Sequence, residues 1–205
     1  MPAPLKRIAV SQRVTVDGAT GERRDALDQR WPAFLKACDC LGVAMPNDPA
    51  VAVSLLTETG CRGLLLTGGN DLHGLGGGAP ERDRTETCLI TTALDRALPV
   101  IGVCRGMQMI QQFFDNPLET VEGHVTALQD IDIAGTRQQV NSYHQYGAVE
   151  TRPPLEAWAI ADDGVIKAVR HQSRCVIGIM WHPERISPFR TSDIRLFDHV
   201  FGERP

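Results

Sequence analysis

The chain contains no apolar run near the ~20 residues that a membrane-spanning helix requires, so no membrane association is expected. Its opening, Met1 to Val10, carries two prolines and Lys6-Arg7 but no long apolar stretch; no secretory signal is expected, and a cytoplasmic location is the default. An excess of positive charge is also missing: 21 Lys and Arg stand against 25 Asp and Glu, a formal net charge of −4. That balance gives no footprint for a nucleic-acid polymer. The six cysteines, Cys38, Cys40, Cys61, Cys88, Cys104 and Cys175, form no C-x-x-C pair, and no histidine pair completes a zinc set. No metal is expected, and reduced, buried cysteines are the default. Internal repeats, low-complexity tracts and linkers are lacking too. With 205 residues, 42% of them apolar, one domain over 1–205 is the expectation.

What is there alternates short β-rich runs with helical spacing, the pattern of βα units on a parallel sheet. Ile8 to Val10 reads as a first strand. Asp25 to Leu41 places Leu27, Trp31, Phe34, Leu35 and Cys38 at helical spacing, with Gly42 as the expected stop. Val43 to Met45, Leu64 to Leu66 and Val100 to Val103 read as strands. Pro49 to Thr59, Arg82 to Leu98 and Met107 to Phe114 read as helices. Gly74 to Gly78 reads as a lid or plain linker, since the Lys-Ser/Thr of a phosphate-binding loop does not follow it. Beyond Val121 the strand-like runs 158–161, 166–169 and 176–180 follow one another without helices, which predicts antiparallel additions. A helix from Ser192 to Phe201 ends the pattern.

Three strand ends carry the chemistry. Gly102-Val103-Cys104-Arg105-Gly106 has the form of a nucleophile elbow, a sharp turn from strand to helix. There the helix dipole favours thiolate over thiol, and free N–H groups can hold an oxyanion. Alone, the motif reads equally well as a structural cysteine in a βα turn. Trp181-His182-Pro183-Glu184 ends an apolar strand, and residues two apart on an extended chain can project to one side. Glu184 can then hold the His182 tautomer and stabilise its imidazolium. Thr67-Gly68-Gly69 also follows a strand, which puts it on the carboxyl edge of the sheet with Cys104.

The T-G-G loop, the G-x-C-x-G-x-Q elbow and the strand-borne H-P-E, in that order, resemble the class I glutamine amidotransferase superfamily. The resemblance runs from Ile8 to Phe201. It implies a three-layer, flavodoxin-like α/β fold around a central, mostly parallel sheet with antiparallel additions. It also implies Cys104, His182 and Glu184 as the catalytic set and a glutamyl-thioester intermediate, with no cofactor. Arg105 after the nucleophile looks like the branch of free-standing γ-glutamyl hydrolases typified by γ-glutamyl-γ-aminobutyrate hydrolases. The short chain, Ser11-Gln12-Arg13, Val140-Asn141-Ser142-Tyr143-His144 and Trp181-His182-Pro183-Glu184-Arg185 are similar to the γ-glutamyl-CDP-amidate hydrolases of capsule phosphoramidate biosynthesis.

By that resemblance the N–H groups of Gly69 and Arg105 hold the oxyanion. Gly68, Gln108, His144, Gln145 and Tyr146 surround the glutamyl head group. Arg13, after the first strand, is a candidate phosphate contact, because a guanidinium suits bidentate phosphate binding. The expected partner is a small γ-glutamyl substrate, and a homo-oligomer is compatible with the sequence. Two rivals stay open: a glutaminase subunit serving a synthetase, and a γ-glutamyl-amine hydrolase of amine catabolism.

Overall fold

A computed structural model describes residues 5–202; Met1–Pro4, on which the reading of the N-terminus partly rests, and residues 203–205 lie outside them. In chain order the elements are β1 (Lys6–Ser11), β2 (Arg13–Val16), β3 (Arg23–Ala26), α1 (Arg30–Ala37), β4 (Cys40–Met45), α2 (Pro49–Glu58) and β5 (Leu64–Leu66). Then come α3 (Pro80–Asp95), β6 (Val100–Val103), α4 (Arg105–Phe113), β7 (Glu119–Thr120), β8 (Val125–Ile133) and β9 (Thr136–Tyr143). The last are β10 (Tyr146–Gly147), β11 (Leu155–Ala161), β12 (Ile166–His171), β13 (Val176–Ile179) and α5 (Thr191–Phe201).

Nine strands form one sheet in the order β4-β1-β5-β6-β13-β12-β11-β8-β9. From β4 to β13 every pairing is parallel; from β13 outward every pairing is antiparallel. Period-2 alternation sends successive side chains to opposite faces. Ile8, Val10, Leu65, Ile101 and Val103 pack with Trp31, Phe34 and Leu35 of α1 and Phe197, Val200 and Phe201 of α5. Ala9, Leu64, Leu66 and Val100 pack with α2, α3 and α4 through Leu56, Leu89, Ile90, Met107 and Ile110. Helices on both faces give the three-layer α/β architecture.

The first long helix differs from expectation. Residues 25–26 belong to β3, which pairs with β2, and α1 is confined to residues 30–37. Pro32 lies in the first turn, the one place where its missing N–H and its ring are tolerated, so the helix cannot extend a further turn ahead of it. Its end is set by Asp39, at φ 52°, rather than by Gly42. Gly42 sits inside β4, where a Cβ would come within 2.9 Å of Leu35 Cδ1; it admits α1 onto the sheet. Gly74–Gly78 is also more built than a lid or linker. Residues 73–75 form a 3₁₀ turn, and a Cβ on Gly77 would meet the Asp71 carbonyl oxygen at 1.9 Å.

Candidate active site

The carboxyl ends of β1, β5, β6 and β13 meet at one edge of the sheet and deliver Arg13, Gly68-Gly69, Cys104 and His182 to it. The elbow exists because two glycines permit close approach. A Cβ on Gly102 would lie 2.4 Å from the Gly106 carbonyl oxygen, and one on Gly106 would lie 2.2 Å from that of Leu66. Between them Cys104 is held at φ 54°, ψ −109°, a region that costs a non-glycine residue about 1–3 kcal/mol and clusters at functional sites. Cys104 caps α4, its carbonyl accepting from Met107 N at 2.9 Å and Gln108 N at 3.1 Å. The N–H groups of Arg105 and Gly106, which open the helix ahead of these bonds, have no intrahelical carbonyl to bond.

His182 is 2% exposed, and its Nδ1 lies 2.7 Å from Glu184 Oε1, which leaves Nε2 for the nucleophile. The Nε2 edge and Cys104 converge over Gly68: a Cβ there would lie 2.6 Å from His182 Cε1, 3.5 Å from Nε2 and 3.5 Å from Cys104 Cβ. Burial works against an imidazolium. The charge of the Cys104 sulfur, a hydrogen bond to it and the Glu184 carboxylate outweigh burial and push His182 up to about 9. The arrangement therefore favours a charged His182 imidazolium at neutral pH. Asn141 braces this histidine through the backbone, donating from Nδ2 to His182 O at 2.9 Å and accepting from His182 N at 2.7 Å.

The loop Thr67–Asn70 is held from behind by Arg82 of α3, which is wholly buried. Its guanidinium donates to the carbonyls of Thr67 (2.6 Å) and Gly68 (3.2 Å) and to that of Gly69, and also to Thr67 Oγ1 and Asn70 Oδ1. Its carbonyls are drawn toward Arg82, Gly69 takes φ 82°, and Thr67 N donates to Ser11 Oγ at 3.0 Å. Glu86, one helical turn on, accepts from Arg82 Nε at 2.9 Å and from Arg105 Nη1; Arg105 Nη2 reaches Asp83. Burial would raise Glu86, but Arg105 and Arg82 outweigh it and hold its carboxyl below the usual range. One buried carboxylate thus ties together the loop and the elbow that carry the expected oxyanion donors.

A cavity of about 240 Å³ opens beside Cys104, lined by Gly69, Asn70, Asp71, Gln108, Tyr143, His144 and Gln145. Gln108 faces it and donates from Nε2 to Tyr146 O at 2.8 Å. His144 and Gln145 form part of the wall, while the Tyr146 hydroxyl turns away to Leu75 O at 3.1 Å. His144 is buried, its Nδ1 2.9 Å from Tyr146 O. Arg13 is exposed and lies over the Thr67–Asn70 loop, its guanidinium 3.1–3.2 Å from where a Gly69 Cβ would stand. It shares a small recess on the far side of His182 with Asp28, Gly68, Glu184 and Arg185.

The structure thus gathers Cys104, His182 and Glu184 beside Gly68 and puts Gly69, Gln108, His144 and Gln145 in the adjoining wall, while Arg13 stands in a neighbouring recess and the Tyr146 side chain outside the cavity lining. Arg82, Asp83, Glu86 and Asn141 were absent from the expectation. Arg82 and Glu86 stand four apart on a helix, a spacing that ordinarily marks an exposed ion pair; only their total burial reveals the clamp. Asn141 lay within a recognised motif, but the need for a side chain to brace His182 is a tertiary fact.

The peptidase C26 family model matches residues 8–115 and 110–184. The γ-glutamyl-CDP-amidate hydrolase of Campylobacter jejuni is 27% identical over 181 residues, covering 87% of this chain and 90% of the relative. The γ-glutamyl-γ-aminobutyrate hydrolase of Escherichia coli O157:H7 is 25% identical, covering 80% of each chain. Among solved structures, a putative GMP synthase subunit from Thermoplasma acidophilum superposes with a TM-score of 0.73 at 17% identity, over 97% of this chain and 93% of the other. A glutamine amidotransferase from Thermotoga maritima gives 0.65 at 12% identity, over 87% and 76%. These last two share the fold, and the sequence relatives are hydrolases of amide bonds. The chain belongs to the peptidase C26 family.

Proposed function

We propose that this protein hydrolyses a γ-glutamyl amide through a glutamyl thioester on Cys104, and that its substrate is γ-glutamyl-CDP-amidate. The observation that carries the reading is the convergence of Cys104, His182 and Glu184 over Gly68, beside a cavity walled by Gln108 and the loop Tyr143–Gln145. The Cys104 thiolate attacks the γ-carbonyl carbon, and the N–H groups of Gly69 and Arg105 receive the oxyanion. The C–N bond breaks as His182 Nε2 gives its proton to the departing nitrogen, with Glu184 stabilising the imidazolium. Water then attacks the thioester and loses a proton to His182. Thiolate leaves, and glutamate is released. Gln108 and the backbone of His144, Gln145 and Tyr146 hold the glutamyl head group, while Gly68 keeps room for the imidazole.

Two observations support the nucleotide leaving group. The relative named for γ-glutamyl-CDP-amidate aligns over 87% of this chain. In such an amidate, phosphorus is bonded to the scissile nitrogen, so its first phosphate must lie beside His182. Arg13 stands there over Gly69, and no carboxylate among the described residues pairs with it. Arg185 stands there too, its guanidinium 5.3 Å above the Tyr143 ring, which is itself 6.0 Å from the His182 ring. Of the two acids on the same wall, Asp28 is engaged by Arg30 at 3.0 and 2.6 Å, and Glu184 by His182 at 2.7 Å with Arg185 Nε 3.4 Å away. The six cysteines, all free, and a nucleotide substrate fit a cytoplasmic role in phosphoramidate modification of capsular polysaccharide.

The test is glutamate release from glutamine, γ-glutamyl-γ-aminobutyrate and γ-glutamyl-CDP-amidate, with Cys104→Ala as control. Preference for the nucleotide compound, lost in Cys104→Ala and reduced at least tenfold in Arg13→Ala, is the expected result. Preference for the amine conjugate would move the protein to amine catabolism. Activity on glutamine only with an added synthetase would make it an amidotransferase subunit. Turnover by Cys104→Ala would overturn the mechanism.

A further inference from the structure

Lys167 lies on β12 in the antiparallel half of the sheet, 1% exposed, and none of the catalytic steps above uses it. Its Nζ lies 2.9 Å from Ser142 Oγ and 2.7 Å from His144 Nε2. Ser142 spends its own proton on His124 O at 2.8 Å, so its oxygen is an acceptor toward the lysine. His144 Nδ1 lies 2.9 Å from Tyr146 O, and a carbonyl can only accept. Nδ1 therefore carries the proton and Nε2 accepts from Lys167. The ring is a neutral relay, and the charge of the cluster sits on the lysine. Consistently, burial and the Lys167 charge push His144 down to about 3.

No carboxylate among the described residues forms an ion pair with Lys167; the negative charges it senses are Asp163 and the nucleophile, Cys104. The cavity beside Cys104 has Asp71 as its one formally charged lining side chain apart from the nucleophile, and no arginine or lysine. A glutamyl head group brings an α-carboxylate into that cavity. Tyr146 O, which accepts from both Gln108 and His144, joins the cavity wall to the lysine beneath it.

We propose that Lys167 is the positioning residue of the head-group site: its charge, relayed by His144, shapes the Tyr143–Tyr146 loop and makes the cavity selective for a head group with a free carboxylate. The proposal rests on the γ-glutamyl reading of the site. Protonation of one buried lysine then controls affinity rather than the chemical step. Burial pushes that ammonium down to about 7, so head-group affinity weakens as pH rises through neutrality. The other groups facing the cluster are His124 with its partner Asp163, His182 across the cavity, and Asp71 and Cys104 in its wall.

The experiment is calorimetric titration of glutamate, the product of the proposed reaction, into the unmodified protein at pH 6 and pH 8.5, with Lys167→Met and Lys167→Arg beside it. If only the protonated form binds and titrates near 7, affinity falls roughly thirtyfold between the two pH values. Lys167→Met binds weakly at both. Lys167→Arg, which keeps its charge throughout, binds without the pH slope. Should Lys167→Met fail to fold by circular dichroism, the arginine variant decides alone. A Lys167→Arg titration that keeps the full slope overturns the proposal while leaving the γ-glutamyl reading intact. Absence of glutamate binding at any pH overturns both.

Discussion

The two halves of the sheet hold their parts of the active site by opposite means. The parallel half carries the oxyanion loop and the elbow, and it braces them with buried formal charge: Arg82, Glu86 and Arg105, each at most 1% exposed, with Asp83 at the margin. The antiparallel half carries the head-group loop and leans on the end of β13, where His182 emerges. It braces them mainly with neutral groups, the Asn141 amide on the His182 backbone and the Ser142 hydroxyl and His144 ring under the loop, around the single charge of Lys167. The difference follows from what each half must do. Around Cys104 the backbone is strained, and the oxyanion donors must stay fixed as charge develops, which favours a tightly paired, preorganised frame. In the proposed reaction the head-group loop binds and releases an amino acid in every turnover, and weaker neutral bonds suit it.

Glu86→Gln is the harshest way to break the comparison. It leaves Arg82 with no carboxylate and Arg105 with Asp83 alone, and breaking a buried ion pair from one side costs about 3–5 kcal/mol. For a chain of this size that lowers the melting temperature by roughly 6–20 °C, read by thermal denaturation. In the protein that remains folded, kcat falls by about 10²-fold, the scale of a misplaced oxyanion donor, while KM changes little. Equal loss in kcat and KM would mean that the clamp supports the fold at large rather than the oxyanion site.

Asn141→Ala is the matching cut in the other half, and its effect is smaller. Two hydrogen bonds to the His182 backbone are lost and a buried N–H is orphaned, a cost of about 1–3 kcal/mol. The expected result is a kcat about tenfold lower with KM unchanged, since the imidazole wanders while the head-group loop stays in place. A stability loss as large as that of Glu86→Gln would erase the distinction between the halves.

This asymmetry also explains what could be read in advance. The elbow and the His-Pro-Glu segment are local: each is a few residues at the end of one apolar run, and their chemistry depends on glycine spacing and residue type. The parallel strands were legible for the same reason. The β8–β9 hairpin was not, because its turn uses Ala134-Gly135 at φ 50° and 85° in place of the Asn-Gly or Asp-Gly signal, and β8 and the first half of β9 are largely exposed. Nor was β3, whose residues Arg23-Arg24-Asp25-Ala26 show no apolar alternation. The clamp and the lysine cluster escaped notice because Arg82, Glu86 and Lys167 look like surface residues until tertiary packing surrounds them. Charged side chains carry no sequence mark of burial.

The mildest perturbation tests the hinge between the halves, the Cys104–His182–Glu184 contact. Cys104 belongs to the parallel half, while Glu184 and His182 stand where the two halves meet. Burial opposes the imidazolium, and the Cys104 charge and Glu184 overcome it to place His182 near 9. In the proposed mechanism the charged imidazole protonates the leaving nitrogen, so kcat at saturating substrate holds through neutrality and declines on the alkaline side. Glu184→Gln keeps a hydrogen-bond acceptor and removes the carboxylate's charge. One of the forces raising His182 is lost, so the alkaline decline in kcat moves to lower pH while activity below it persists at a reduced level. Because Lys167 acts on binding, its titration near 7 belongs to KM, and the two limbs separate in the pH profiles of kcat and KM. A decline in kcat left unmoved by Glu184→Gln would show that the sulfur alone sets the charge of His182, and would detach Glu184 from the acid–base step.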